Sequence, residues 1–207
     1  MDEIIVMFES GGPMMYPLVI SAFVALVLIV ERVLALREKK ILIPELQRFI
    51  ISMKKESDFE HAEQLSKTYP GPFANIMLVG LENRHLDIAE INQFLEAQGQ
   101  YEVRYLEKGL NILETIAGIA PLMGLLGTVF GIIRVFDKIK EVGLSDPGAF
   151  SGGISEALVT TAVGLVIGIT VLIFHNLLSQ KAENLIAEIE RIATHLIQRI
   201  KQIEVLR

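Results

Sequence analysis

The residues with the clearest capacity for chemistry are one acid and three hydroxyls embedded in apolar sequence. Residues 152–174 read GGISEALVTTAVGLVIGITVLIF, with Glu156 near the start and Thr160 and Thr161 one turn further on; Thr128 lies in a second apolar run. An ionised carboxylate in hydrocarbon is costly unless it is paired, hydrated or protonated, so intramembrane acids tend to face a cavity or an ion path. A plainer reading stands beside this one: Ser151 or Ser155 caps the helix, and Glu156 occupies its first turn near the positive end of the dipole, within reach of headgroup water. The spacing favours the first reading. Glu156 and Thr160 are four residues apart and share one helical face, which Val163, Gly164 and Ile167 continue inward. Such a face offers an acid and a hydroxyl at its entrance and only apolar groups beyond, as a wet vestibule closed by a dry seal would. For each threonine the simpler alternative is a bond back to a carbonyl of its own helix.

Other chemistries find no support. The sequence holds no H-E-x-x-H, no G-x-S-x-G, no phosphate-binding loop and no G-x-G-x-x-G after a strand. His61, His85, His175 and His195 fall at no metal-ligand spacing, and the absence of cysteine removes disulfides, thiol nucleophiles and thiolate metal sites. An enzyme is not expected, nor a cofactor, a metal or direct use of ATP. The net charge of −6, without a long Lys/Arg run, argues against a nucleic-acid partner.

The elements that must position these residues follow from charge segregation. The chain has 207 residues, 51% of them apolar and 21% charged, with a mean hydropathy of +0.46. Residues 10–30, 115–133 and 157–180 contain no Asp, Glu, Lys or Arg. Each run is long enough to cross a hydrocarbon core about 30 Å thick as a helix. The expected fold is therefore an all-α integral membrane protein with three transmembrane helices and long cytoplasmic helical extensions. Asp2, Glu3 and Glu9 stand where a secretory signal would be basic, and Glu31–Arg32 follows where a cleavage site would be small, so residues 14–36 are read as a retained anchor.

Lys and Arg set the orientation. None precedes the first span, whereas Arg32, Arg37, Lys39, Lys40, Arg48, Lys54 and Lys55 follow it. The expected layout is a periplasmic N-terminus (1–13), span 1 (14–36), a cytoplasmic helical domain (37–112), span 2 (113–136), a periplasmic loop (137–150), span 3 (151–178) and a cytoplasmic C-terminal helix (179–207). Lys138 and Lys140 in the outer loop run against the charge bias.

Within 38–112, breaks are expected at Pro44 and at Tyr69-Pro-Gly-Pro72. Ile88, Ile91, Phe94, Leu95, Tyr101, Tyr105, Leu106 and Leu110 suggest a long helix leading into the second span. After the third span, Leu185, Ile189, Ile192, Leu196, Ile203 and Leu206 form one apolar stripe, and Ile186, Ala193, Ile197 and Ile200 form another. No Gly or Pro lies beyond Thr170, so one helix is expected from Ile154 to the end, about 80 Å at a rise of ~1.5 Å per residue. Two apolar stripes call for partners on two sides: the 88–112 helix and other copies of the chain.

Helices in lipid approach each other through small residues. The second span carries Gly118, Gly124, Gly127 and Gly131, and the third carries Gly164 and Gly168, including the GxxxG pairs Gly127–Gly131 and Gly164–Gly168. Pro121 removes a backbone donor and frees the Ala117 carbonyl, which reads as a packing kink. Glu31 and Arg32 read as snorkelling interfacial anchors, and His175 as an interface residue.

With these residues in view, GIAPLMGLLGTVFGIIRVF resembles the second-span signature of the ExbB/TolQ/MotA proton-channel proteins of bacterial inner membranes, and GGISEALVTTAVGLVIGITVLIFHN resembles the third. GGPMMYPLVISAFVALVLIVERVLAL is similar to the first span of the short, three-helix ExbB-type members. The resemblance covers nearly the whole chain. It implies a homo-pentamer around the membrane helices of a single-pass ExbD/TolR-like dimer. Proton flow past an aspartate on that partner would drive rotation or rocking and serve a TonB-like or TolA-like transducer. It carries the family's polar pore residues onto Thr128, Glu156 and Thr161. The shared-face argument favours Thr160, the resemblance favours Thr161, and a straight helix has room for only one principal pore hydroxyl; the resemblance is followed.

The chain departs from the family at Thr170, where members commonly have proline, and at His175, where they have tyrosine; the missing proline implies a straighter third helix. The short form leans toward ExbB over TolQ. Flagellar-stator-like subunits usually have four spans, and a non-conducting scaffold would not need a Glu and Thr wall. Hydroxyls with a single acid make a poor dehydrated sodium cage, which favours protons.

Overall fold

A computed structural model describes residues 11–143 and 147–205. Among these residues the secondary structure is entirely helical: α1 Met15–Ala35, α2 Glu38–Ile41, α3 Pro44–Ser52, α4 Ser57–Thr68, α5 Pro72–Glu82, α6 Ile88–Leu106, α7 Leu110–Val142 and α8 Pro147–Val205. Three of them, α1, α7 and α8, are long and apolar enough to cross a membrane. Most of the expected N-terminal segment 1–13 lies outside the described residues. Residues 137–142 and 147–150, expected in the outer loop, are helical, because α7 and α8 run past the ends of the apolar windows.

The chain forms two units. The first contains α1 as far as Glu31 together with residues 109–177, that is, α7 and the first half of α8. At one end Met15, Leu18 and Ala120 are buried together, with Met123, Val163 and Ile167 packed against them. Elsewhere its large apolar side chains face outward: Phe23 and Val166 are each 66% exposed and Leu122 is 63% exposed. So much contiguous apolar surface is foreign to a water-soluble domain, whereas in a bilayer these side chains are at no disadvantage. This unit is the membrane part of an integral membrane protein.

The second unit comprises residues 32–108 and the end of α8. Leu46, Ile50, Phe73, Met77, Leu81 and Ile91 build its core, closed by Leu185, Ile189, Ile192, Leu196 and Ile200 of α8. The first C-terminal stripe is thus buried within the chain as far as Leu196, while Ile203 is only half buried and Leu206 lies outside the described residues. Ile186, Ala193 and Ile197 of the second stripe instead line an open groove of about 840 Å³ opposite Leu95 and Val103.

The breaks at Pro44 and Pro72 fall where expected, each proline taking the first position of a helix. Two further interruptions carry no proline. Before α4, Asp58 Oδ2 accepts from the backbone N–H groups of Lys54 and Lys55 at 2.8 and 2.9 Å. Those bonds hold the Asp58 carboxyl below its usual range. Before α6, the Asp87 side chain accepts from Ile88 N. The long helix expected to lead into the second span is also corrected: it stops at Leu106, and α7 starts afresh after Gly109, whose φ of +80° favours glycine. Nor do its apolar residues share one face. Ile91, Leu95 and Leu106 are buried, whereas Phe94, Tyr101 and Tyr105 are about half exposed or more.

Arg32 overturns its expected role as a snorkelling anchor. It is 3% exposed, and its Nη1 donates to the Tyr105 carbonyl at 3.2 Å, in the last turn of α6, where a cation opposes the helix dipole. By contrast, α8 is unbroken from Pro147 to Val205, in line with the single helix expected from Ile154 onward.

Gln47 Nε2 of α3 donates to Glu188 Oε1 of α8 at 2.6 Å, and Arg191 donates to both oxygens of the same carboxylate. Chiefly through the Arg191 bonds, the Glu188 carboxyl sits below its ordinary 4.5. A depressed folded pKa contributes stability above the unfolded value, and that contribution is lost as pH falls through the folded value. The Arg191 bonds lie within α8, whereas the Gln47 bond, which also lowers the carboxyl pKa, ties α3 to it, so the docking of α3 on α8 is expected to weaken as pH falls below about 4.5. Hydrogen exchange of the α3 amides should show this loss, with a smaller pH dependence in Glu188→Gln.

Candidate functional site

The glycines determine how closely α7 and α8 approach. A Cβ added at Gly164 would lie 2.6 Å from the Ala120 carbonyl oxygen, and one at Gly124 would lie 3.0 Å from the Thr160 carbonyl oxygen. At Gly131 it would meet Ala157 Cβ at 2.8 Å, at Gly127 Thr160 Cβ at 2.8 Å, and at Gly168 Pro121 Cγ at 2.5 Å. These five glycines and Pro121 therefore lie along one seam, where backbone meets backbone. Gly118 does not belong to it, since a Cβ there meets nothing within 4 Å.

Close approach brings the hydroxyls together. The Thr128 and Thr161 hydroxyls share a short hydrogen bond across the seam. Thr161 Oγ1 also donates to the Gly124 carbonyl at 3.1 Å, and Thr128 Oγ1 lies 3.2 Å from the Ala157 carbonyl and 3.4 Å from that of Gly124. Each hydroxyl has one proton and two lone pairs. With Thr161 donating to Gly124, the bond between the two hydroxyls takes the Thr128 proton, with Thr161 accepting. Both side chains are half buried, so the pair keeps one open side. Two exchangeable hydroxyls with spare acceptor capacity can hold water or a polar side chain of a partner at that side.

Thr160 is placed differently. It is fully buried, and its Oγ1 lies 2.8 Å from the Gly11 carbonyl and 2.7 Å from the Glu156 carbonyl. Although Glu156 and Thr160 share a helical face as the spacing requires, that face is turned toward Gly127 and the segment before α1.

Glu156 stands at the end of the seam, its side chain 16% exposed, and its Oε1 forms an ion pair with Arg134 Nη2 of α7. That oxygen is sealed from solvent, with the Arg134 guanidinium as the charge set against it. The Gly12 backbone lies over it: a Cβ at Gly12 would overlap Glu156 Oε1 and come within 3.0 Å of Arg134 Nη2. With φ at +63°, Gly12 also adopts a conformation that favours glycine. Sequence reasoning missed Arg134, Gly11 and Gly12. The signal for Arg134 was present, since it directly follows the uncharged run 115–133 and stands at the same end of its span as Glu156 does of the third. His175 remains a peripheral group, with Nδ1 3.3 Å from Asn176 Oδ1.

Residues 69–191 match the MotA/TolQ/ExbB proton channel family. The chain is similar to biopolymer transport protein ExbB-like 1 of Synechocystis, at 31% identity over 86% of this chain and 72% of the relative. It is 30% identical to ExbB-like 3 of the same organism, over 81% of this chain and 80% of the relative. The biopolymer transport protein ExbB of Aquifex aeolicus is 36% identical over 56% of this chain and 78% of its own length.

The seam can be read by cross-linking, because the chain has no cysteine to interfere. Thr128→Cys with Thr161→Cys should form an intrachain disulfide on mild oxidation. Adding Gly164→Val should abolish it, because the extra methyl groups force the helices apart at the Ala120 carbonyl. Non-reducing electrophoresis after proteolysis between the two helices provides the measurement.

Proposed function

Because the chain belongs to the MotA/TolQ/ExbB proton channel family, we propose that it is the channel-forming subunit of an inner-membrane motor that couples the proton gradient to transport across the outer membrane. It is an integral membrane transport component, not an enzyme. In this reading five copies surround the membrane helices of a single-pass ExbD/TolR-like dimer. A partner aspartate carries the proton, and a TonB-like transducer receives the motion. The N-terminus is periplasmic and the C-terminus cytoplasmic.

The observation that carries this reading is the Thr128–Thr161 pair in an otherwise apolar membrane unit, with Glu156 at the end of the same seam. Polar groups that serve only one helix bond back within it; Thr128 keeps a longer contact of that kind to Gly124, but it and Thr161 also bond across the seam. Thr128, Thr161 and Glu156 form the wall that hydrates and positions the partner's carboxylate. Thr160, enclosed by Gly11 and Gly127, holds the packing behind that wall. The same wall would serve a TolQ-like subunit with a TolA-like transducer in envelope integrity, whereas a non-conducting scaffold would not need it.

Co-expression with a single-pass partner and reconstitution into liposomes tests the proposal. The complex should have the native mass of five copies plus the partner dimer and should acidify the lumen under an imposed proton gradient. Thr128→Val and Glu156→Ala should abolish this flux while leaving the mass unchanged. Full flux in both variants would refute the assignment of the wall.

A further inference from the structure

Glu156 lies at the end of the seam, yet half of its environment comes from groups with no part in the proposed wall. Arg134 reaches it from α7, and the Gly12 backbone covers the same oxygen from the segment before α1. The two charged side chains are unequally placed: the Arg134 side chain is 45% exposed and that of Glu156 16%. The guanidinium therefore retains contact with solvent or headgroups, while the carboxylate it faces is withdrawn. A carboxylate so placed has two acceptor oxygens, and the cation fixes which of them points toward α7.

We propose that Arg134 is a positioning residue for Glu156. Its guanidinium pins Oε1 against α7 beneath the Gly12 backbone, leaving Oε2 as the oxygen presented to the pore wall. The pair joins the outer ends of the second and third spans by charge where the glycines have joined their middles by shape. Gly12 acts as the lid of the pair, since any side chain at that position would occupy the space of Oε1. The role assigned to Oε2 rests on the proposed function; the pairing itself does not.

The test is a double-mutant cycle on the full chain, with Arg134→Ala, Glu156→Ala and both together. It is read by proton flux of the reconstituted complex and by thermal denaturation of the chain in detergent. Arg134→Ala alone should lower flux about tenfold or more, while in the denaturation cycle the shift of the double variant should fall well short of the sum of the single shifts, as for two residues acting as a unit. Arg134→Lys should restore much of the flux and Arg134→Met, of similar length but uncharged, should not. Gly12→Ala should reproduce the loss in Arg134→Ala. Wild-type flux in Arg134→Ala, or additive denaturation shifts in the double variant, would overturn the proposal. If the wild-type complex moves no protons, the proposed function fails instead, and the denaturation cycle decides alone: non-additive shifts support the pairing and additive shifts refute it.

Discussion

The membrane unit depends on the distance between two backbones. At Gly124 and Gly164 the second and third spanning helices come so close that a single methyl group on either would strike the other's main chain. In lipid no hydrophobic force draws helices together, and the attraction comes from packing and from polar contacts between them. The glycines supply the first, and by doing so make the second possible. Side chains as short as threonine reach across only because the helices touch, so the hydroxyl pair is a product of the packing and not an independent feature. Glu156 and Arg134 meet at the end of the same contact. Chemistry and packing are therefore inseparable in this unit, and a change at Gly164 counts as a change at the site.

Much of the fold was legible in the sequence because charge segregation over lipid-scale lengths has few explanations. The three apolar windows, the starts of α3 and α5 at prolines and the unbroken C-terminal helix all follow from local rules. The errors have equally specific causes. Gly109 was passed over because the apolar residues on its two sides share a period, although a glycine in the left-handed region resets the helix there. Phe94, Tyr101 and Tyr105 belong to the same helix as the buried Ile91, Leu95 and Leu106, and their positions leave them about half exposed or more. Arg32 reads as an anchor because it follows an apolar run, whereas its guanidinium donates to a carbonyl at the end of α6, many residues away in sequence.

The site divides along the same line. Thr128, Thr161, Glu156 and the seam glycines were identifiable from residue type and spacing. The partners that give them their roles were not: the cross-helix carbonyls of Gly124 and Ala157, the guanidinium of Arg134, and the Gly11–Gly12 backbone. Periodicity within one helix says which residues share a face, and it cannot say which face a neighbouring helix covers. Thr160 shows the difference, since it shares a face with Glu156 as the spacing requires and that face is enclosed.

The Thr160 hydroxyl has one proton and two carbonyl acceptors at nearly equal distance, 2.8 Å to Gly11 and 2.7 Å to Glu156. Were the segment before α1 to peel away, the proton would turn to the second acceptor and no buried donor would be stranded. Only the Gly11 carbonyl would be left without this donor, and where it met water a water molecule could replace it. The hydroxyl that ties this segment down thus has a second acceptor on its own helix, so the attachment depends on no buried donor that would otherwise go unmet.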